Sequence, residues 1–196
     1  MQKERTIMKE HIKEYEFYPT PPKLAAKIVE VAQEELCGIK PDMWLEPSMG
    51  DGAIVQQLNF QGVSDVIGID PNMEPRLGLS GHFYSLALEK YLEDEAEIKF
   101  GAIVGNPPFS LAEKHLRLLI PRIEPGGVLV FLLRMTFMGS KSRIDFFKEH
   151  PPSKVIVLQG RPSFTDDGKT DSSEYGLFIW KRDGQLGTRL EWSEWK

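Results

Sequence analysis

A single cysteine, Cys37, leaves no partner for an intramolecular disulfide and no cysteine cluster for zinc. That usage suits a reducing, cytoplasmic compartment, with Cys37 expected as a small buried residue near a helix end. His11, His82, His115 and His150 are scattered without ligand spacing, so no metal is expected and surface or locally satisfied histidines are. The longest apolar run, Gly127 to Leu133, is far short of a membrane span. Met1 to Glu16 is rich in Lys and Glu and lacks the apolar stretch of a signal peptide. Nicotinamide-binding folds carry Gly-x-Gly-x-x-Gly; here Val55 stands where the third glycine belongs, which disfavours a dehydrogenase. No Ser-His-Asp context points to hydrolysis. Internal repeats and low-complexity tracts are absent too.

With 196 residues, 41% of them hydrophobic and 27% charged, the chain fits one soluble globular domain with a complete core. The net charge of −5 argues against coating nucleic acid by bulk attraction. Charge is unevenly spread, however. Residues 1–100 hold 10 Lys and Arg against 18 Asp and Glu, net −8, whereas residues 101–196 hold 14 against 11, net +3. Between Ser110 and Pro162 the excess is basic, which is either a phosphate-facing rim or a set of solvated helix faces, the commoner case.

Apolar strands alternate with helices of about ten residues, which predicts an α/β fold with a mostly parallel sheet covered on both faces. The helical spacing of Leu24, Ala25, Ile28, Val29, Val31 and Ala32 predicts a helix from Thr20 to Glu35. Thr20 is expected as its N-cap, Pro21-Pro22 in the first turn and Gly38 as its stop. Strands are expected at Met43–Leu45, Val66–Ile69, Ala102–Gly105, Val128–Leu133, Val155–Leu158 and Tyr175–Trp180. Helices are expected around Ala53–Leu58, Leu111–Ile120 and Ser140–His150. Residues 1–16 read as a polar extension, 17–181 as the main domain, and 182–196 as a tail that is either a terminal strand or an appendage.

Two segments carry chemistry. Asn106-Pro107-Pro108-Phe109 follows the strand Ala102–Gly105. Each proline fixes φ and removes an N–H, so the Asn106 amide and the Pro107 carbonyl are held as acceptors suited to an NH2 group, and Phe109 offers a flat face to a ring. A plain strand-ending turn with Phe109 in the core is the alternative. The second segment is Glu46-Pro47-Ser48-Met49-Gly50-Asp51-Gly52, a glycine turn between strand and helix. Asp70-Pro71 follows the next strand, where the Asp70 carboxylate can accept from both hydroxyls of a ribose.

Together these segments resemble the class I S-adenosylmethionine-dependent methyltransferases, and within them the DNA adenine-N6 family. Asn-Pro-Pro-Phe is similar to motif IV, Glu46–Gly52 to motif I, Asp70 to motif II, and Tyr18-Pro19-Thr20-Pro21-Pro22 to motif X. Their order matches the gamma arrangement, over residues 17 to 181. The resemblance implies a Rossmann-like, seven-stranded sheet and S-adenosyl-L-methionine as cofactor, held by Thr20, Pro21, Glu46, Pro47, Ser48, Gly50, Gly52, Asp70 and Pro71. Ser85 stands in the slot where motif III usually has an acid. Asn106, Pro107, Pro108 and Phe109 would hold the target amine. Phe164, in Arg161-Pro162-Ser163-Phe164, is similar to the aromatic position of motif VIII and would face Phe109 across a base extruded from the duplex; packing beneath the polar loop Thr165–Ser173, a lid or an ordinary connection, is the other reading. The implied partner is nucleic acid, DNA ahead of RNA. RNA adenine, a protein glutamine amide, and a non-catalytic cofactor-binding subunit are the alternatives. The family's sequence-specific members carry a separate target-recognition domain after the catalytic one, which is not seen here; a separate recognition subunit, weak sequence specificity and a different amine substrate are the readings left open, and a phage or prophage enzyme is the analogy.

Overall fold

The computed structural model describes residues 18–164, 172–183 and 187–195. The extension 1–16 and residues 165–171 of the polar loop lie outside the described residues.

The first helix, α1 (Pro22–Leu36), buries Leu24, Ala25, Ile28, Val29, Val31 and Ala32 on one side, as their spacing predicts. It starts one residue later than expected, with Pro21 rather than Thr20 as the N-cap. A residue before proline is kept out of the α region, so Pro21 is extended at φ −57° and ψ 143°, and its carbonyl accepts from the Leu24 and Ala25 N–H groups at 2.9 Å each. Thr20 is thereby released to the functional site. At the other end Cys37 itself takes the left-handed conformation, φ 52°, ahead of Gly38 at φ 87°. The reversal turns Cys37 outward, so it is exposed rather than buried, its thiol directed at the Glu34 carbonyl.

The sheet contains β1 (Trp44–Glu46), β2 (Val66–Ile69), β3 (His82–Tyr84), β4 (Phe100–Gly105), β5 (Ile123–Arg134), β6 (Lys154–Gln159), β7 (Tyr175–Lys181) and β8 (Arg189–Glu194). Its order is β3-β2-β1-β4-β5-β7-β6-β8, and only β7 runs antiparallel to its neighbours. Seven strands were expected and the described residues form eight, because the tail adds β8 in parallel beside β6. The remaining helices are α2 (Ala53–Phe60), α3 (Leu88–Asp94), α4 (Ala112–Leu119) and α5 (Ile144–Glu149). The last is shorter than the pattern from Ser140 implied, since Lys141–Arg143 form a 3-10 turn.

Two apolar layers sandwich the sheet. One joins α1 and α2 to the side chains of Val104, Val130 and Leu177, the other joins α3, α4 and α5 to Ile103, Leu129 and Phe178. Each fully buried Leu, Ile, Val or Phe contributes about 1.5–3 kcal/mol. From β1 the chain builds outward to β2 and β3, then returns to place β4 on the other side of β1. This reversal opens a crevice beyond the carboxyl ends of β1 and β4, where both predicted motifs emerge.

Candidate functional site

The turn after β1 is fixed by its own backbone. Met49 N–H donates to the Ile69 carbonyl at 3.0 Å and Gly52 N–H to the Met49 carbonyl at 2.7 Å. Gly50 and Gly52 have φ values of 52° and 79°, and a Cβ on Gly52 would collide with Leu79. Only glycine meets both demands at position 52. Glu46 lies under the turn, buried, accepting from the Val55 N–H at 3.2 Å. Burial pushes its carboxyl well above the ordinary carboxylate range; the Val55 bond lowers it in part, and the charges of Asp51 and Asp70 raise it further.

Asp70 closes the turn from the next strand. Its Oδ2 accepts from the Gly50 N–H at 3.0 Å and its Oδ1 from the Asn72 N–H at 2.8 Å. A carboxylate has about four lone-pair sites, so each oxygen keeps acceptor capacity for a ligand. Asp51 is turned aside by Arg76, whose Nη2 lies 2.7 Å from its Oδ2.

Asn106 is gripped from the N-terminal side. Its Nδ2 donates to the Tyr18 carbonyl and to Thr20 Oγ1, each at 3.2 Å. These two acceptors fix which end of the amide is oxygen. Oδ1 is buried and has no hydrogen-bond partner among the described residues. Pro107 is buried, Pro108 half-buried. Phe109, also half-buried, joins Tyr18, Phe164 and Tyr175 in one aromatic cluster. Phe164 is buried, 6% exposed.

A cavity of about 320 Å³ lies between the glycine turn, Asp70 and Asn106, with Tyr18 also on its wall. Thr20, Pro47, Ser48, Gly50, Asp70, Pro71, Asn106 and Pro108, all predicted at the site, line it. Pro21, Glu46, Gly52, Ser85, Pro107, Phe109 and Phe164 do not; Phe164 belongs to the buried core and Phe109 packs against it. Glu46 and Gly52 act on the turn beneath, while exposed Ser85 bonds the Pro71 carbonyl at 3.3 Å. The lining also includes Leu88, Glu89, Leu111 and His115, which the sequence reading did not place there. They come from α3, from α4 and from its N-cap Leu111, and belong to no motif; the signal is that Leu111 and His115 stand four apart at helical spacing. His115 is 4% exposed, with Nδ1 3.5 Å from Ser48 Oγ. Burial lowers its pKa to about 4, Glu89 opposing that shift and Lys114 adding to it. Lys114 in turn pairs with Glu89 and, with hydrogen bonding, outweighs the burial that would raise that carboxyl, leaving it lowered. Among the described residues no cluster of His, Cys, Asp or Glu is arranged to hold a metal ion, and no helix is long and apolar enough to cross a membrane.

No protein-family model and no curated protein matches the chain. Solved structures do. A protein of Listeria monocytogenes described as a class I S-adenosylmethionine-dependent methyltransferase aligns with a TM-score of 0.58 at 16% identity, over 89% of this chain and 65% of that one. The type I restriction-modification methyltransferase subunit of Streptococcus thermophilus aligns with a TM-score of 0.63 at 15% identity, over 85% of this chain and 45% of the subunit. The plantazolicin methyltransferase BpumL, solved with a substrate analog and SAH, aligns with a TM-score of 0.57 at 11% identity, over 92% and 91% of the two chains. The chain thus spans under two thirds of the first two structures. At these identities the likeness is one of fold: the architecture is that of class I methyltransferases.

Proposed function

We propose that this chain transfers a methyl group from S-adenosyl-L-methionine to the exocyclic N6 amine of adenine, in DNA ahead of RNA. The observation that carries the reading is the Asn106 amide oxygen, buried and with no partner among the described residues, while its nitrogen is held by Tyr18 and Thr20 beside the cavity. Leaving such an acceptor unpaired costs about 1–3 kcal/mol, which an N–H of a bound amine recovers.

The residues present fit the cofactor. Asp70 offers carboxylate acceptors at the end of β2 for ribose hydroxyls, Gly50 lets the backbone come close, and acidic Asp70, Glu74 and Glu89 favour a cationic ligand in the cavity. When bound, S-adenosylmethionine supplies an electrophilic methyl group on a sulfonium. The chain supplies position. Asn106 Oδ1 and the Pro107 carbonyl accept from the two N–H groups of the amine, which favours the pyramidal nitrogen whose lone pair can attack. Phe109 stacks on the ring, with Phe164 assisting from the far side of the aromatic cluster. Fixed dipoles in a water-poor pocket accomplish this without a strong base or a metal.

DNA as substrate is supported by the basic excess after Ser110 and by the restriction-modification enzyme among the structural neighbours. A duplex target has to be flipped out of its stack to reach the pocket. The test is incubation of purified protein with labelled cofactor and unmodified genomic DNA, RNA or protein, followed by nucleoside analysis. N6-methyladenine in DNA is expected; label confined to protein, or cofactor binding without transfer to any nucleic acid, would sink the reading.

A further inference from the structure

Phe109 and Phe164 are linked by a third ring. The Tyr18 centroid lies 5.3 Å from Phe109 at an interplanar angle of 37°, and 5.6 Å from Phe164 at 69°. Tyr175, fully buried, closes the cluster at 5.8 Å from Phe109 and 5.3 Å from Phe164. The Arg134 guanidinium is 4.4 Å from the Phe109 centroid and 5.9 Å from that of Tyr18, and its Nε donates to Tyr175 Oη at 3.2 Å. Aromatic faces, edges and a planar cation therefore meet around the Tyr18 ring, and of this group Tyr18 is the member that lines the cavity.

The members differ in how firmly they are held. Phe109 follows the proline-locked corner, and Tyr175 opens β7 directly opposite Arg134 of β5. Tyr18 is half-buried and precedes α1, outside any helix or strand. Its carbonyl is tied to Asn106 Nδ2. Its ring can thus leave by side-chain rotation while its backbone keeps the Asn106 amide aimed.

We infer that Tyr18 is the removable wall of the target slot: its ring stands between Phe109 and Phe164 where a planar heteroaromatic amine is bound, and it swings aside to admit one. The identity of that amine as adenine rests on the proposed function. A tilted face from Phe109 and an edge from Phe164 favour a nucleobase over a side-chain amide, because an amide has no ring to exchange for the contacts that Tyr18 gives up. Tyr18 is accordingly a specificity-determining residue, and its displacement lowers the apparent affinity of every substrate by the fraction of time the slot is open.

The experiment labels the full chain with 3-fluorotyrosine, assigns the Tyr18 fluorine resonance with Tyr18→Phe, and titrates oligo(dA) or oligo(dT) while methyl transfer to the same DNA is measured. The Tyr18 resonance is expected to move to a solvent-exposed position with oligo(dA) and not with oligo(dT). If DNA is methylated while the resonance stays, the inference falls and the proposed function stands. If the resonance moves and no methyl is transferred, the slot stands and the enzymatic reading falls. If neither happens, both fall. A kinetic arm uses Tyr18→Ala, for which KM toward oligo(dA) should fall about three- to tenfold because a ring pair no longer has to be broken. A raised KM would overturn the inference.

Discussion

Asp70 Oδ2 accepts from the Gly50 N–H at 3.0 Å, so the carboxylate that ends β2 holds the glycine turn that follows β1. The same group therefore shapes the turn and faces the cavity. Charge-assisted hydrogen bonds contribute roughly 1.5–3 kcal/mol each. Asp70→Asn keeps the size and loses the charge and part of the acceptor capacity. Its affinity for S-adenosylhomocysteine, measured by calorimetry, should drop at least about tenfold. An unchanged affinity would remove Asp70 from the cofactor site.

Asn106→Ala deletes the buried acceptor and should abolish methyl transfer, with cofactor affinity kept within a few fold. Thr20→Val is the subtler probe. It removes one of the two acceptors that anchor Asn106 Nδ2, a loss of about 1 kcal/mol, and should lower kcat roughly three- to tenfold. Single-turnover rates with pre-bound cofactor separate this effect from binding. A Thr20→Val rate equal to wild type would mean that the Tyr18 carbonyl alone aims the amide.

Elements with a strong apolar period were legible in the sequence. The run Val66–Ile69 is a strand with the same bounds in the structure, and the stripe Leu24–Ala32 faces the core. β3 escaped because it is three residues at a partly exposed edge, with no apolar run to announce it. β8 reads ambiguously for the same reason: Leu190 and Trp192 are exposed, so the strand forms through backbone pairing with β6 and not through burial. At the site, backbone chemistry was visible and side-chain direction was not. Prolines and glycines announce turns, whereas the burial of His115 and the grip of Tyr18 and Thr20 on Asn106 depend on elements separated by many residues. The one misread cap, Thr20, was misread because a second proline at Pro22 outweighs the usual preference for a hydroxyl at that position.

The tail strand is tied to α1 by charge. Lys154 Nζ on β6 lies 2.6 Å from Glu35 Oε1 and 3.1 Å from Glu191 Oε1 on β8, and Lys181 Nζ lies 3.5 Å from Glu35 Oε2. Burial alone would raise the Glu35 carboxyl, but Lys154 and Lys181 together hold it below the ordinary range. Removing one partner of a largely buried group of charges leaves the others uncompensated. Glu35→Ala should therefore destabilise the fold by about 2–4 kcal/mol in urea titrations. A loss below about 0.5 kcal/mol would class the group with exposed surface pairs.

His115 and Glu46 give stability opposite dependences on pH. In the folded chain burial holds the His115 imidazole neutral down to about 4, whereas an unfolded histidine binds its proton near 6.5. Between those values the unfolded state carries the extra proton, so acid favours unfolding: stability falls as pH drops from about 6.5 toward 4, by up to roughly 3 kcal/mol. Glu46 acts the other way. Its folded pKa is raised, so its contribution is fully present below about 4.5 and is lost as pH rises through the folded value. Urea titrations of wild type, His115→Gln and Glu46→Gln at intervals from pH 4.5 to 8 resolve the two. His115→Gln should hold up better than wild type at the acid end, and Glu46→Gln should gain on wild type toward the alkaline end. Parallel curves for wild type and His115→Gln would mean that the imidazole titrates as it does in water, and that α4 does not seal it against the cavity wall.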